Sequence, residues 1–491
     1  MDPVEPRITV DLSQAIKITN VHLNAILSQH AQQLAELDDE DPPAAPLHAH
    51  SVVFGPTASP LPPVDSTAEG LKRARSCSPQ FFAQENAAEG GKTDPVPHAA
   101  SHRPRKKKRP EKHKANRQEK RAQIQATDEH TRQRVGLASK IGISRTRRRR
   151  AAQSAAEADD IPLSQSGLPP RRMLDLASAL AEPGMRLITL DMQGQVSTKA
   201  IMDADNQVIA VLNCGPSGAE DWNEVTQQAS TAMDAAAKLL YGPDYDKAPP
   251  EQDIDSPRRG PHYAVHMGNG MGGGQQRPTP FALHASVLHI LTSLFIHRAI
   301  ARFVGLANVL FQLYAPKLHN YYFRTMKALS KWDRDLPLLA PLCSCVFACV
   351  TFNFGPQTVT LPHLDFLNLS WGWCFITALG WYDYRRGGHL ILWDLRLIIE
   401  FPPGATFAIP SAILRHSNVS IQQGEKRFSF TQYTSAGIFR FVNRGFQTDV
   451  TLKANMSKAE QREFAATAQT RYSEGLKMYS TLEELKMRAF M

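Results

Sequence analysis

A histidine and an aspartate stand at a spacing that suits a metal ion. Of the 17 histidines, only His363 is followed two residues later by an acid, Asp365. On an extended segment, residues i and i+2 point the same way, so both donors can reach one ion. His416 follows about fifty residues later. Because two histidines and one carboxylate form the facial triad of non-haem Fe(II) oxygenases, we predict an iron site at these three residues.

An arginine close by in the sequence could hold a co-substrate. Arg427 lies eleven residues after His416 and opens an alternating segment, and Ser429 lies two residues further along the same predicted strand. In 2-oxoglutarate-dependent oxygenases a basic side chain holds the far carboxylate of the 2-oxo acid, and the planar fork of arginine suits that contact. Arg427 and Ser429 are therefore the predicted 2-oxoglutarate contacts.

Other interpretations stay open on the sequence alone. His363 could be a core histidine, His416 a turn residue and Arg427 a surface charge. His389 is a rival third ligand, but only 24 residues separate it from Asp365, too few for the intervening strands of a barrel. We predict a structural or outer-sphere role for His389.

Short strands surround these residues. Val-, Ile-, Phe- and Trp-rich segments separated by Gly, Pro and Asn predict strands at 345–352, 372–379, 389–393, 397–401, 405–409 and 427–433, as in a β-sandwich or barrel. Two helices broken near Pro316 are predicted within 281–332, and a further helix from Ser457, with Glu460 completing a capping box. Cys343, Cys345 and Cys349 lack paired Cys-x2-Cys spacing, and we predict buried thiols there.

Residues 166–284 are predicted to form a small α/β region. Residues 185–212 predict a β-hairpin with its turn at Asp205-Asn206, and residues 221–241 predict a helix that ends at Gly242-Pro243. Residues 242–280 are rich in Pro and Gly and predict a flexible loop. Within it, residues 268–274 lack the Gly-Lys-Ser/Thr ending of a phosphate-binding loop.

Charge is concentrated in the N-terminal part of the chain. Residues 101–150 carry 19 Lys/Arg against 4 Asp/Glu, whereas the whole chain is +9. Such runs are typical of nuclear-import signals and of sequence-independent contacts with phosphates; a solvated tail is the alternative. Residues 1–165 have few aromatics and no sustained apolar periodicity, which predicts disorder apart from a short helix near residues 11–36. Two apolar stretches are interrupted by charges or prolines, so no membrane span is expected.

The motifs together resemble a known family. Leu361-Pro-His-Leu-Asp-Phe-Leu-Asn368, Gly387-Gly-His-Leu-Ile-Leu-Trp-Asp-Leu395, Phe401-Pro-Pro-Gly404, the stretch from Ile409 to Asn418 and that from Arg427 to Thr434 are similar to the TET/JBP-like dioxygenases of mushroom-forming fungi, which are often found beside transposons. The resemblance implies a double-stranded β-helix, Fe(II), 2-oxoglutarate and oxidation of a methylated base in nucleic acid, such as 5-methylcytosine.

The resemblance also implies roles for single residues. His363, Asp365 and His416 match the iron ligands, and Arg427 and Ser429 match the 2-oxoglutarate contacts. Asn368 matches a residue that contacts the extruded base, and Tyr433 matches an aromatic that stacks on it. Where the TET enzymes carry a base-contacting histidine, this sequence has Ser435.

The sequence thus predicts an α+β fold, with a double-stranded β-helix (jelly-roll) core flanked by helices and a long disordered N-terminal arm. The expected organisation is a disordered 1–165, a small α/β region at 166–284, the dioxygenase core at 285–450 and C-terminal helices at 451–491. Function is expected to be that of a nuclear dioxygenase that binds nucleic acid, most simply DNA, through the basic arm and the active-site cleft, with import machinery as a further partner. An inactive nucleic-acid-binding relative and a protein or small-molecule hydroxylase are the alternatives.

Overall fold

The structure, a computed structural model, describes residues 15–28, 173–190, 198–216, 218–247, 260, 262–272 and 274–489. These residues mix helices with two sheets, as expected for an α+β chain. The predicted basic arm at 101–150 lies outside the described residues, as does most of the predicted disordered segment.

The larger sheet has nine strands and is mostly antiparallel. Strands are numbered in chain order. From one edge of this sheet to the other they are Ile16–Lys17 (β1), Thr198–Met202 (β3), Val208–Asn213 (β4), Thr406–Ile409 (β11), Cys374–Trp381 (β8), Lys426–Tyr433 (β13), Cys349–Pro356 (β7), His262–Gly270 (β5) and Thr279–Pro280 (β6). Among these neighbours only β1 and β3 run parallel to each other.

The smaller sheet has four strands in the order β12-β9-β10-β2. They are His416–Asn418 (β12), Leu390–Leu392 (β9), Leu397–Ile399 (β10) and Arg186–Ile188 (β2). Leu390 and Leu392 belong to the main apolar core together with residues of the larger sheet, whereas Ile391 packs in a separate cluster with Leu174 and Val419. Alternate side chains of β9 are therefore buried on both faces of this sheet.

Helices cover the larger sheet and complete the core. Phe303 and Phe430 are in edge contact, with ring centroids 6.4 Å apart, and Phe311 packs against Phe347 and Phe375. In chain order the helices are Leu176–Leu180 (α1), Trp222–Tyr241 (α2), Ala285–Ile296 (α3), Arg298–Tyr314 (α4), Pro316–Trp332 (α5), Ala436–Asn443 (α6), Asp449–Ala454 (α7), Lys458–Leu476 (α8) and Leu482–Ala489 (α9).

The helices that the sequence predicts are present apart from one missed break, whereas α1 and α6 were not predicted. Helix α2 ends at Tyr241, before Gly242-Pro243, and α8 begins with the predicted capping box between Ser457 and Glu460. The leading helical region has three helices rather than two. The missed break lies at His297, whose extended backbone separates α3 from α4.

The hairpin predicted at 185–212 has a different first arm. The turn at Asp205-Asn206 is where the sequence puts it, and Asn206 adopts a left-handed φ of 61°. However, β4 pairs with β3, while β2 joins the smaller sheet beside β10. Alternation of apolar residues marked β2 as a strand, but it carries no information about which sheet a strand joins.

The flexible loop predicted at 242–280 contains a strand. β5 pairs with β7 from His262 to Gly268 and with β6 at Asn269 and Gly270, so residues 268–270 are part of the larger sheet. Gly268 has a φ of +108°, and a Cβ there would lie 2.2 Å from the carbonyl oxygen of Ala348. Glycine is therefore required at this position for close backbone approach, not for flexibility.

Within residues 1–165 the structure describes residues 15–28, which overlap the short helix predicted near residues 11–36 and contain β1 followed by a helical turn at residues 23–28. Ile18, Leu23 and Leu27 are almost fully buried in the main core, and β1 pairs with β3. The Leu23 N–H donates to Asp203 Oδ2 at 3.0 Å. This short segment folds because a distant strand supplies the apolar surface that the segment lacks by itself.

Two further sequence expectations concern thiols and membranes. Cys345 and Cys349 are buried, Cys343 is partly buried, and burial raises the pKa of the Cys345 thiol to about 12. No single helix among the described residues has the length and apolar character to cross a membrane; only α3 and α4 taken together, bent by 67°, meet those criteria.

His389 makes stability depend on pH. Its side chain is fully buried, and this desolvation lowers its pKa to about 4 from the usual 6.5. Because the unfolded chain binds the proton more readily, the stabilising contribution is complete above pH 6.5 and is lost as the pH falls toward 4. We expect His389→Leu to flatten this part of the stability profile, by on the order of 3 kcal/mol at most.

Denaturant unfolding between pH 7 and pH 4.5 measures this effect. The exposed His289, changed to leucine, serves as the control. An unaltered slope in His389→Leu would mean that other groups set the acid sensitivity of the fold.

Candidate metal centre

Two histidines are brought together by backbone pairing. His363 and His416 form an isolated antiparallel bridge, in which the N–H of each donates to the carbonyl oxygen of the other at 3.1 Å. Their ring centroids are 4.3 Å apart. Asp365 is fixed by its own N–H, which donates to the carbonyl oxygen of Ser411 at 2.9 Å. All three side chains therefore stem from hydrogen-bonded backbone.

Three ligand atoms converge at this point. His363 Nε2 lies 3.8 Å from Asp365 Oδ1, and His416 Nε2 lies 3.9 Å from Asp365 Oδ2. One ligand atom from each residue lies within 4.8 Å of the others, which is the spacing of donors around a single ion. Elsewhere in the described part of the chain, no other group of three His, Cys, Asp or Glu side chains meets this criterion.

Hydrogen bonds orient both imidazole rings. His363 Nδ1 lies 2.7 Å from the carbonyl oxygen of Leu361, and His416 Nδ1 lies 2.9 Å from that of Leu414. A carbonyl oxygen accepts only, so each Nδ1 must carry the proton. The tautomer that results presents the Nε2 lone pair to the cluster, as in metal-bound histidines generally.

A short 3-10 turn, Trp393–Leu395, braces the segment around His416. The Trp393 N–H donates to the Arg415 carbonyl oxygen at 3.0 Å, and its indole Nε1–H donates to Ser417 Oγ at 2.9 Å. On the other side, Asp394 Oδ2 accepts from the Arg415 N–H at 2.5 Å. Both neighbours of His416 are thus held by one turn.

The brace also contains a perturbed carboxyl group. Burial raises the pKa of Asp394 to about 6, and the Arg415 N–H opposes that rise. In the sequence, Trp393 and Asp394 stand only within a longer motif, residues 387–395. The available signal was an indole and a carboxylate next to each other in an otherwise apolar run.

His389 does not belong to the cluster. It precedes β9, in which Leu390 and Leu392 face the main core and Ile391 faces the opposite side. Alternation places His389 on the side of Ile391. His416 pairs with Leu392 and therefore points to the other side. His389 therefore points away from the cluster and is excluded as the third ligand.

Arg427 is a buried cation. It is 1% exposed, and its Nη1–H donates to the Thr358 carbonyl oxygen at 2.6 Å. Its Nε and Nη2 make no hydrogen bond of good geometry with the described residues, although the Tyr382 hydroxyl interacts with the guanidinium, and no carboxylate of those residues pairs with it. The rings of Tyr382 and Phe401 lie 5.9 and 5.7 Å from the guanidinium carbon. A buried charge without a carboxylate partner is costly, and an anion bound here would offset that cost.

The arginine pocket and the histidines are joined by a short stretch of chain. The Thr358 carbonyl oxygen accepts from Arg427, and the Leu361 carbonyl oxygen, three residues later, accepts from His363. Three residues of chain span at most about 10 Å, so the two acceptor carbonyls lie within that distance of each other.

Ser429 lies on the same face of β13 as Arg427. The two residues stand opposite Ala378 and Gly380 of β8, so both side chains point to the same side. Ser429 Oγ accepts from Asn353 Nδ2 at 3.1 Å. Phe428 and Phe430, which alternate with them, are buried in the main core. The strand thus presents a polar face opposite its apolar one.

Asn368 and Tyr433 lie at the other end of β13. Asn368 Nδ2 donates to Ser411 Oγ at 3.1 Å, and its backbone forms a bridge with Ser435, two residues beyond Tyr433. Ser435 Oγ in turn accepts from the Met271 N–H at 3.2 Å. Ser435 therefore holds the segment after β5.

A histidine that the sequence did not single out contacts Tyr433. His266 Nδ1 lies 2.6 Å from Thr351 Oγ1 and 3.1 Å from the Tyr433 hydroxyl. It belongs to β5, within the region predicted to be a loop. No signal in the sequence marked it, because its importance comes from the pairing of β5 with β7.

Comparison with known proteins gives only weak matches. No family model matches the chain, and no curated protein matches it. Among solved structures, NgTET1 in complex with 5mC DNA shares 13% identity over 52% of this chain and 84% of its own, with a TM-score of 0.34. A 2OG-Fe(II) oxygenase family oxidoreductase from Burkholderia pseudomallei shares 16% identity over 36% and 69%, with a TM-score of 0.21. Any functional conclusion has to rest on the geometry of the site.

The brace around His416 predicts an effect on metal affinity. We expect Trp393→Phe, which removes the indole donor to Ser417, to weaken Co(II) binding by about 10-fold, because outer hydrogen bonds typically contribute 10- to 100-fold. Anaerobic titration with Co(II) measures this. Trp381→Phe is the matched control, since its Nε1–H donates to Gln227 Oε1 at 2.7 Å on another part of the fold. Equal affinities of the two variants would contradict a bracing role for Trp393.

Proposed function

We propose that this chain is an Fe(II)- and 2-oxoglutarate-dependent dioxygenase with a double-stranded β-helix core, which oxidises a methylated base of the 5-methylcytosine type in DNA. The observation that carries the chemistry is the convergence of two imidazoles and one carboxylate, with a buried arginine near them that has no anionic partner among the described residues. Structural ion pairs and core histidines do not explain that combination.

The donor set fits ferrous iron. His363 and His416 would supply Nε2, and Asp365 one carboxylate oxygen, the ligand types of the facial triad in non-haem Fe(II) oxygenases. When bound, Fe(II) with O2 and 2-oxoglutarate supplies the oxidative chemistry that yields succinate, CO2 and a hydroxylated substrate. The protein supplies fixed ligands and an open site.

The chain itself anchors and orients the co-substrate. Arg427 would bind the far carboxylate of 2-oxoglutarate through Nε–H and Nη2–H, since Nη1–H is committed to Thr358. This is the bidentate geometry for which arginine is suited. Ser429 is expected to add a hydroxyl donor from the same face. Tyr382 and Phe401 flank the guanidinium with apolar rings, which limits water in the pocket.

DNA as the substrate is proposed from the rim of the site and from charge. Asn368 carries an amide edge and Tyr433 an aromatic face at the same end of β13, which is what recognition of an extruded base requires. Residues 101–150, with their 19 Lys/Arg, would contact phosphates and import machinery, and we expect a nuclear protein. An inactive binding protein would show no turnover, and a hydroxylase of proteins or small molecules would form succinate without oxidised base.

Arg427 predicts a selective loss of co-substrate affinity. Arg427→Met should leave Fe(II) affinity within about twofold and raise KM for 2-oxoglutarate by about 30-fold or more, as expected when one partner of a buried charge pair is truncated at a cost of 2–5 kcal/mol. Ser429→Ala should have a smaller effect, about fivefold. Succinate formation at varied 2-oxoglutarate measures both. An unchanged KM in Arg427→Met would remove the 2-oxoglutarate assignment.

The proposed substrate predicts a specific product. Incubation of the iron-loaded protein with oligonucleotides containing 5-methylcytosine should give an oxidised base by mass spectrometry, and Asp365→Ala protein should give none. Asn368→Ala and Tyr433→Ala should reduce base oxidation while leaving 2-oxoglutarate turnover without DNA nearly unaltered. Succinate without oxidised base would keep the oxygenase and discard the DNA substrate.

A further inference from the structure

Helix α5 carries a row of cations on its exposed side. Arg324, Lys327 and Lys331 are all exposed, and their spacing of three and then four residues places them on one face of the helix. The opposite face of α5 is buried against the apolar core. At a rise of 1.5 Å per residue, these three residues form a row about 10 Å long, the α5 cation row.

The α5 cation row lies in a stretch of the chain that has no acidic residue. Residues 256–332 contain nine Lys/Arg and no Asp or Glu, although the whole chain has 47 acidic residues in 491. Within the described part of the chain, acids from outside the stretch pair with Arg277, Arg302 and Lys317, but none pairs with a member of the row. The charge of the row is therefore not neutralised by the described residues.

The α5 cation row is unfavourable for the helix itself. Like charges three or four residues apart on a helix repel each other, and two such pairs follow in succession here. The Lys327 ammonium lies 5.8 Å from the centre of the Phe323 ring, so it contacts an aromatic face and not a carboxylate. A helix face that is simply solvated typically alternates cations with acids. An external polyanion would offset the repulsion along the row.

We propose that the α5 cation row is a contact surface for the phosphates of duplex DNA, outside the metal centre. The inference rests on the proposed function for its choice of partner. Each strand of a duplex has one phosphate per about 3.4 Å of helix axis, so a row about 10 Å long faces about three phosphates of one strand. Such contacts carry no sequence information, but they fix the orientation of the duplex on the protein.

Helix α6 connects α5 to the metal centre. The Ala436 N–H, at the start of α6, donates to the carbonyl oxygen of Leu367, two residues after the ligand Asp365. Further along α6, Phe439 stacks on Tyr321 of α5, with ring centroids 5.0 Å apart. With eight residues, α6 is about 12 Å long, which equals the rise of about three to four base pairs. Helix α5 therefore lies within the length of a few base pairs from the metal centre.

Composition favours DNA over a membrane as the partner of the row. Outside residues 101–150 the chain has 37 Lys/Arg and 43 Asp/Glu, so the row is a local feature and not part of a generally basic body. A helix that binds a membrane surface presents several large apolar side chains beside its cations. On α5, which is described in full, Phe323 is the single large hydrophobic side chain that is exposed. A regular series of phosphates fits a row of cations with one aromatic residue better.

The salt dependence of DNA affinity tests this surface. The full-length, iron-loaded protein is titrated anaerobically into a fluorescent duplex containing 5-methylcytosine, and anisotropy gives the Kd between about 50 and 200 mM salt. Arg324→Gln/Lys327→Gln/Lys331→Gln should reduce the slope of log affinity against log salt by about 2.7, so that this salt range weakens binding about 40-fold less than in the unaltered protein. Because glutamine is a good helix former and the repulsion is removed, the Tm should be equal or higher.

A second triple variant serves as the control for net charge. Lys247→Gln/Lys477→Gln/Lys486→Gln removes three cations that each pair with an acid three residues away, and it should keep the slope within about 0.5 of the unaltered protein. Arg324→Lys, which keeps the charge, should retain the slope as well. Both triple variants should retain 2-oxoglutarate turnover without DNA.

The possible outcomes separate this surface from the proposed function. An unchanged slope in the variant of the α5 cation row, or equal decreases in the two triple variants, would overturn the surface. An unchanged DNA slope combined with weaker binding to phosphatidylserine vesicles would overturn it in favour of an anionic membrane. The expected difference in slope, in a protein that leaves 5-methylcytosine unoxidised, would refute the proposed substrate and support the row as a DNA contact.

Discussion

The candidate site depends on one short piece of backbone pairing. His363 and His416 exchange N–H to carbonyl hydrogen bonds, and this pairing alone brings together two histidines that are far apart in the sequence. Each ring then bonds through Nδ1 to the carbonyl two residues before it, so pairing and tautomer are set by the same segments. A shift of one residue in this register would turn one imidazole to the opposite face and destroy the cluster.

A buried cation imposes the second constraint. Arg427 sits at the start of β13 with apolar rings around it, the Thr358 carbonyl oxygen accepts from it, and no carboxylate of the described residues pairs with it. Under the proposed function, the far carboxylate of 2-oxoglutarate would offset this cost. The polar face of β13 runs from Arg427 at one end to Tyr433 at the other. The proposed co-substrate and base contacts therefore lie at opposite ends of one strand.

The residue types of the site can be predicted from the sequence, but not all of the strands that position them. The His-x-Asp spacing, the distal histidine and the arginine strand could be read directly, because strand periodicity determines which side chains point together. Strand β12 has only three residues and β5 is rich in glycine, so neither has a pattern that local propensity can detect. Residues 15–28 and β2 join the fold through partners far away in the sequence, and such pairing leaves no local signal. The roles of Trp393 and His266 likewise depend on side-chain contacts with residues far away in the sequence.

The most direct test of the central claim is optical titration of the anaerobic protein with Fe(II) and 2-oxoglutarate. Chelation of ferrous iron by a 2-oxo acid in a facial triad gives a visible charge-transfer band. We expect the band to form with one iron per chain and to be absent from Asp365→Ala protein. Absence of the band from the unaltered protein, or its persistence in Asp365→Ala, would contradict the assignment of His363, Asp365 and His416 as an iron site.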